Sequence, residues 1–519
     1  MLKRHPLVSV VCAAVLVLWA LTARAEMTVD TAWVRRYTGP SNADDWVRAV
    51  VVCEPGVAYV TGSSYRSYTD PDYATIRYYP SGDTAWVRRY DGSANGRDCG
   101  MDIAVDCPSS VYVTGYSVGS GSGDDYVTIK YDTLGNELWV SRYNGPGNGF
   151  DVAWAVELDA SSNVYVTGKS EGSGTHFDYA TVKYLSNGDT AWVRRYNGPG
   201  NDYDWAFVMA VDGFDNVYVT GRSYDTATSD DYATVKYDAQ GNELWVRRYN
   251  GPADGWDEAS GLTVDDFGNV YVTGGSSGVG TGADFATIKY YATGDTIWVR
   301  RYNGPGNDED WAFDVDVDDH GNVFVTGRSH GGETYFDYAT VKYDSLGNEL
   351  WVARYSGPGA GWDGAAVIEV DGYGSVYVSG QSWVAATNED YATVKYDSLG
   401  NEVWLIRYDG PVSGFDAGRD MKLNASGNVY VTGFSHGGVF DNYDYATVKY
   451  VQALRGDANG DRVINVADIV CLVNFLYRGG DPPITAEAGD ATCDGIVDVA
   501  DVVCLVNYLY RGGDPPDCP

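Results

Sequence analysis

The sequence is poor in histidine, methionine and positive charge: 5 His, 5 Met and 36 Lys plus Arg stand against 72 Asp plus Glu in 519 residues. A formal charge of −36 leaves no basic stripe to neutralise phosphates, which excludes a nucleic-acid partner and an anionic membrane surface. Scarce histidine removes the commonest general base and metal ligand from most of the chain. His176, His320, His330 and His436 fall in loops without a partner motif, and no nucleophile elbow, phosphate loop or HExxH helix occurs. The 8 cysteines lack zinc-ribbon spacing. Only one stretch is apolar for long: residues 7–21 follow Lys3 and Arg4 and precede Ala23-Arg24-Ala25. It is short for a membrane span and reads as an export signal over residues 1–25. The mature chain is therefore expected to be secreted, with no membrane insertion. Loss of Cys12 leaves an odd number of cysteines in an oxidising compartment, so at least one is unpaired or paired between molecules.

Glycine (64), tyrosine (43) and tryptophan (16) are abundant, in short alternating runs bounded by turn residues, as in all-β chains. The chain is built by repetition. Trp33, Trp86, Trp139, Trp192, Trp245, Trp298, Trp351 and Trp404 are spaced by 53 residues at every step. In the unit that starts at Trp298, a WVRRY run leads through Asn303-Gly304-Pro305 to an alternating segment at 312–318. The run NVFVT at 322–326 follows, and YATVKY at 338–343 closes the unit. Four short strands per unit, with Gly-Asn or Gly-Asp before each new WVRRY run, predict the four-stranded blades of a β-propeller.

The runs GNVYVTG at 268–274 and DYATVKYD at 231–238 resemble the SBBP family of β-propeller repeats, and more loosely the NHL type, across residues 30–450. The resemblance implies that the VxVD segment is innermost in each blade and WVRRY outermost. The chain then opens on an outer strand and ends on a third strand near Tyr450. The fold expected is an eight-bladed propeller closed by its N-terminal strand, which removes exposed sheet edges.

Several positions repeat without exception. An Asp precedes each inner strand (Asp45, Asp98 and so on to Asp416) and another precedes each third strand (Asp72 to Asp444). Every outer strand carries an Arg (Arg36 to Arg407) and every third strand a basic residue (Arg77, Lys130 to Lys449). The structural expectation is that the carboxylates cap turns and pair with the basic residues between blades. The functional expectation is that both Asp sets open on one face, where the inner set rings a channel mouth and holds a cation or polar ligand. A period without insertions offers no place for an asymmetric catalytic site, so the sequence favours binding over catalysis. Cys53 and Cys107 end the inner strands of neighbouring units, and a bridge between them is left open; Cys99 and Cys107 lie about 26 Å apart on one extended strand, too far to bridge.

After a connection at 451–456 the pattern changes over residues 457–519. DANGDRVINVAD starts at Asp457 and DATCDGIVDVAD at Asp490, 33 residues later. Each places oxygen donors at loop positions 1, 3, 5, 7, 9 and 12, the set a calcium ion needs to replace its water shell. The first set is Asp457, Asn459, Asp461, the carbonyl of Val463, Asn465 and Asp468. The second is Asp490, Thr492, Asp494, the carbonyl of Ile496, Asp498 and Asp501. Each loop runs into an apolar helix that stops at Gly-Gly-Asp-Pro-Pro.

A loop and following helix, twice, with Asp at position 12, resembles a type I dockerin. That resemblance implies two calcium ions, a small α-helical module whose folding draws on them, and calcium-dependent docking to a cohesin-like partner. Arg462 stands at the sixth position where Gly is usual, and Thr492 is a weaker ligand than Asn or Asp. Val466-Ala467 and Val499-Ala500 stand where a cohesin-reading Ser/Thr pair is often found. Cys493 and Cys518 are placed to tie loop to tail. The expected function is a secreted, non-catalytic binding or scaffold protein. Its propeller engages a glycan or protein, and its dockerin-like module docks it to a partner at a cell surface or in a secreted complex. The alternative is a dockerin-tethered carbohydrate-active enzyme, a polysaccharide hydrolase or lyase.

Overall fold

In the first repeat the chain alternates short strands with turns that only a few residue types permit. β1 (Met27–Tyr37) is followed by β2 (Asp45–Cys53), β3 (Val57–Ser67), β4 (Asp70–Tyr78) and β5 (Thr84–Tyr90). β2 to β5 form one antiparallel four-stranded sheet in sequence order. The computed structural model describes residues 27–67, 70–359, 361–437, 442–460, 463–511 and 516. The export signal expected over residues 1–25 lies outside them, as do Asp461, Arg462 and Cys518. No helix among the described residues is long and apolar enough to cross a membrane. The chain divides into two units, Val29–Gln452 and, with the first residues, Ala453–Pro519.

The first unit has eight such sheets. Seven are continuous in sequence; the eighth joins β1 to strands Tyr443–Leu454, Val429–His436 and Ala417–Leu423, so the N-terminal strand completes the ring as expected. The strand that starts at Tyr443 runs to Leu454, through most of the segment read as a connection. Third strands are buried on both faces, which is why they read YATVKY with no exposed polar position.

Adjacent blades are fastened at three radii. Nearest the axis, Asp102, Asp314 and Asp420 accept the N–H of Val156, Ile368 and Val50 in the next blade at 2.7–3.0 Å. In mid-blade a fully buried third-strand tyrosine donates its hydroxyl to a neighbouring carbonyl, as Tyr73 does to Val127 and Tyr391 to Ala446, both at 3.1 Å. Phe285 occupies this position in the fifth blade and has no hydroxyl to give. At the rim seven of the eight outer-strand Trp residues donate Nε1 to the next blade's hairpin, as Trp33 does to Pro80, Trp86 to Thr133 and Trp298 to Ser345, at 3.1–3.3 Å. The hairpin glycine is required there. Gly82 has φ +83°, and a Cβ would fall 2.7 Å from the Trp33 ring.

The eighth blade has no hairpin to offer, because its outer strand is the N-terminus. Gln452, 3% exposed, takes its place. Its Oε1 accepts from Lys395 Nζ at 2.9 Å and from Trp404 Nε1 at 3.3 Å, while Nε2 donates to Tyr377 Oη at 3.2 Å and to the Gly427 carbonyl.

Two further findings adjust the sequence expectations. The repeated Arg–Asp pairing lies within a blade, not between blades: Arg89 holds Asp72 at 2.8 Å, and Arg195 holds Asp178 at 2.7 Å. Third and outer strands are hydrogen-bonded neighbours, so the two charges lie side by side. The third-strand lysines instead reach the next blade's hairpin carbonyl, Lys236 to Ala292 at 3.1 Å, lying over a second-strand tyrosine ring on the way. Cys53 and Cys107 form a disulfide between the first two blades, Cα atoms 5.7 Å apart.

The second unit carries α1 (Val466–Arg478), the short α2 (Ala486–Gly489) and α3 (Val499–Arg511). Its core is small and doubled at an offset of 33: Ala458 with Ala491, Leu472 with Leu505, and Ile469 with Val502 beside them.

Candidate functional sites

The paired acidic loops are shaped by the helices that follow them. Asn465 is the N-cap of α1; its side chain accepts from Ala467 N at 2.7 Å, while Asp468 three residues on accepts from Asn465 N at 2.7 Å, a reciprocal cap. The other oxygen of Asp468 accepts from Asn459 N at 3.1 Å, and Gly460 N donates to Asp457 at 2.9 Å. The second loop repeats the scheme. Thr492 N donates to Asp501 at 2.9 Å, Asp498 N to the other Asp501 oxygen at 2.8 Å, and Gly495 N to Asp490 at 2.9 Å.

Positions 1 and 12 of both loops are buried carboxylates: Asp457, Asp468 and Asp501 are 0% exposed and Asp490 7%. Two buried carboxylates per loop, accepting backbone N–H groups, fit a divalent cation, and one of the four, Asp490, is also met by the buried Arg455 at 3.5 Å. The Thr492 hydroxyl donates to Asp501 at 3.0 Å, so the weaker ligand at position 3 still lies within the oxygen set. Asp461, the fifth-position residue of the first loop, lies outside the described residues. Cys471 and Cys504 are not bridged; each thiol reaches the carbonyl of loop residue 2, Ala458 at 3.5 Å and Ala491 at 3.2 Å. Cys493 is disulfide-bonded.

Both helices leave apolar residues in solvent at matching places. Val466, Val470 and Tyr477 are 54%, 52% and 65% exposed; Val499, Val503 and Tyr510 are 52%, 52% and 65% exposed. A small module that spends its scarce apolar residues on two equivalent open faces is built to be covered.

In the propeller, the two Asp sets share a face, as expected, but neither opens on the axis. The eight inner aspartates are 0–1% exposed, and each takes the N–H of the glycine six residues earlier, Gly145 to Asp151 at 2.6 Å for example. Burial lifts Asp45, Asp98, Asp151, Asp204 and Asp363 to about 6. They are loop caps, and the expected ring of carboxylates at the mouth is not what the axis presents. Where a loop adds Asp91 or Asp409, three carboxylates meet: Asp72, Asp91 and Asp98, then Asp390, Asp409 and Asp416. Arg66 and Arg89 neutralise the first group; in the second, Arg407 faces Tyr355 instead of Asp390.

The mouth is formed by a device the sequence reading missed. Every inner strand has a β-bulge near its start, where one residue is left without a partner on the second strand. A bulge re-aims a side chain, and here it does so eight times around one axis. A second-strand glycine makes room: a Cβ at Gly62 would lie 2.1 Å from the Trp46 carbonyl oxygen. The bulged residues are Arg48, Met101, Trp154, Phe207, Ser260, Phe313, Ala366 and Arg419. Across the second strand stand Lys169, Arg222 and Arg328, paired in register with Val152, Trp205 and Trp311.

These side chains interleave. Lys169 Nζ lies 4.1 Å from the Trp205 ring and the Arg222 guanidinium 3.9 Å from it; Trp154 lies 5.1 Å from Phe207, and Arg419 sits 4.9 Å from Phe434. A cavity of about 440 Å³ opens among Phe207, Glu258, Phe313, Arg328, Trp362 and Arg419. One layer deeper the channel turns acidic: Glu157 stands there in solvent, and Asp102 and Asp314 are lifted to about 7 and Asp316 to about 6, chiefly by burial. Lys422 is raised among them by Glu369, with which it pairs, and by Asp420.

Residues 455–510 match the family model described as a dockerin type I domain, and residues 244–279 and 297–333 match the model described as a beta-propeller repeat, SBBP. An uncharacterized WD repeat-containing protein of Acanthamoeba polyphaga mimivirus is 21% identical, over 60% of this chain and 31% of its own. The chain thus spans about a third of that relative's length. Among solved structures, an ulvan lyase from a new polysaccharide lyase family is 11% identical with a TM-score of 0.40, over 80% of this chain and 95% of that one. A eukaryotic initiation factor is 7% identical with a TM-score of 0.37, over 72% and 90%. At these scores neither likeness bears on activity.

Proposed function

We propose, for a chain that is an SBBP-type β-propeller with a C-terminal type I dockerin domain, a secreted binding protein docked through calcium to a cohesin-type partner. The observation that carries the docking half is the doubled module: two loops with buried carboxylates at positions 1 and 12, each followed by a helix with an open apolar face. Two calcium ions are held by Asp457, Asn459, Asp461, Val463, Asn465 and Asp468 and by Asp490, Thr492, Asp494, Ile496, Asp498 and Asp501. The ions supply the positive charge that buried carboxylates need and so stabilise the fold that presents α1 and α3. The core of the module is too small to do this alone.

The propeller is the ligand platform, engaging a glycan or a protein at the bulge-lined mouth. Eight regular blades repeat their strands and differ in the bulge residues they present at that mouth, the pattern of a scaffold carrying a recognition surface. The test is capture of the full-length mature chain on a panel of immobilised cohesin modules. Retention in calcium that is lost in EGTA, and lost in a D468A/D501A double variant, supports docking. Retention equal in calcium and EGTA refutes calcium-dependent docking, and no retention by any cohesin refutes the partner class.

A further inference from the structure

The protein as a whole carries twice as many acidic as basic residues, yet its axial mouth gathers cations. Arg48, Lys169, Arg328 and Arg419 form no ion pair among the described residues. Lys169, Arg328 and Arg419 lie against aromatic rings instead of carboxylates, at 4.1, 4.9 and 4.9 Å. Arg222 has the nearest acidic neighbours of the group, Glu258 at 3.5 Å and Asp230 at 3.8 Å, while Asp124 and Glu309 act on Lys169 and Arg328 from beyond ion-pair distance.

Some of the basic and aromatic side chains around the mouth have unmet donors. Arg222 Nε, Arg328 Nε, Trp205 Nε1 and Trp311 Nε1 are buried without a partner. All four are N–H donors, and Arg328, which carries one of them, lines the cavity together with Arg419, so the open basic groups there suit a ligand rich in acceptors. The cations also repel one another: Lys169 is held below the ordinary lysine range by burial and by Arg222, and Arg48 repels Arg419. An anion among them relieves both costs.

The remaining surface is aromatic and open. Trp362 is 45% exposed, 4.9 Å from Phe336 and 5.6 Å from the Arg328 guanidinium. An inorganic anion would satisfy the donors and leave these rings bare, whereas a pyranose covers a ring with its C–H face and meets the donors with its oxygens. The cavity of about 440 Å³ is of small-ligand size, and the carboxylates one layer deeper close the channel to a threaded polyanion.

We propose that the axial mouth binds an acidic saccharide, stacking sugar rings on Trp362 and its aromatic neighbours and holding a carboxylate or sulfate between Arg328 and Arg419. This rests on the propeller being the ligand platform and names what it takes.

The experiment is calorimetric titration of the full-length chain with three oligosaccharides of equal length: an oligogalacturonate, a sulfated galactan fragment and a neutral cello-oligosaccharide. The expected result is that at least one acidic ligand binds ten-fold or more tightly than the neutral one. Whichever it is distinguishes carboxylate from sulfate. R328Q, R419Q and W362A should each weaken it five-fold or more. Arg419 and Trp362 are exposed, so R419Q and W362A remain readable if R328Q disturbs the ring. Equal affinity for the neutral ligand overturns the charge assignment and leaves the platform standing. Acidic-saccharide binding that ignores all three variants overturns the location. Binding of a poly-glutamate peptide but of no saccharide overturns the ligand class, and binding of none of these probes, nor of any protein, overturns the platform reading with it.

Discussion

Replacing Gln452 with leucine should open the propeller at one seam. At seven rim contacts the acceptor for the outer-strand Trp is a hairpin carbonyl, as for Trp33, Trp86 and Trp298, and no side-chain substitution removes a carbonyl. Between the seventh and eighth blades the acceptor is a side chain. Q452L takes away the acceptor of Lys395 Nζ at 2.9 Å and Trp404 Nε1 at 3.3 Å, together with the donor to Tyr377 and Gly427. A charge-assisted bond is worth about 1.5–3 kcal/mol and a neutral one about 1. Leucine recovers the apolar burial of the stem, so the net loss should be about 3 kcal/mol. The assay is urea unfolding followed by tryptophan fluorescence. Q452E, which keeps both acceptor contacts and loses the donor, should fall by less than half as much as Q452L. A Q452L midpoint indistinguishable from wild type would refute the assignment of Gln452 as the hairpin's substitute.

The fifth blade offers the converse. F285Y supplies the hydroxyl that Tyr73, Tyr126, Tyr179, Tyr232, Tyr338, Tyr391 and Tyr445 already donate across the blade boundary at 3.1–3.3 Å. It should stabilise the ring by about 0.5–1 kcal/mol in the same urea assay, and a loss of stability would mean that the space beside Ala339 is already filled. The channel carboxyls set a pH dependence. Asp102 and Asp314 are lifted to about 7 and Asp316 to about 6 when folded, above the ordinary carboxyl range of about 4. Their preference for the protonated form favours folding at low pH, and this contribution is lost as pH rises through 6 to 7. The thermal midpoint of the propeller should therefore be lower at pH 8 than at pH 5.5, with the difference reduced in D314N; an unchanged difference in D314N would refute this source.

The ring was legible in the sequence because every rule that defines a blade repeats at 53 residues. The positive-φ hairpin glycines, the alternating strands and the WVRRY run all mark the same boundaries. Closure by the N-terminal strand followed from the order of strands. The side on which charges pair was not legible, because an Asp and an Arg 17 residues apart, such as Asp72 and Arg89, belong to one blade only once the third and outer strands are known to be hydrogen-bonded.

The mouth was missed for a different reason. Looking for positions that never change finds the scaffold, such as the buried caps Asp45 to Asp416. The residues of the mouth occupy positions that do change, Arg48, Trp154, Phe207 and Arg419 on the bulge and Lys169, Arg222 and Arg328 opposite. A bulge is a difference of one residue between paired strands and leaves no mark in a single strand's alternation. Reading the repeats for their most varied positions would have found them. The two acidic loops and the helices after them were legible, since the carboxylates at positions 1 and 12, Asp457 with Asp468 and Asp490 with Asp501, are placed by local spacing.

If the C-terminal module is a calcium-loaded docking unit, calcium calorimetry on the full-length mature chain will find two ions per chain, one lost in D468A and one in D501A, with helical content falling on addition of EGTA. Absence of calcium binding, or binding that persists in the D468A/D501A double variant, would contradict it.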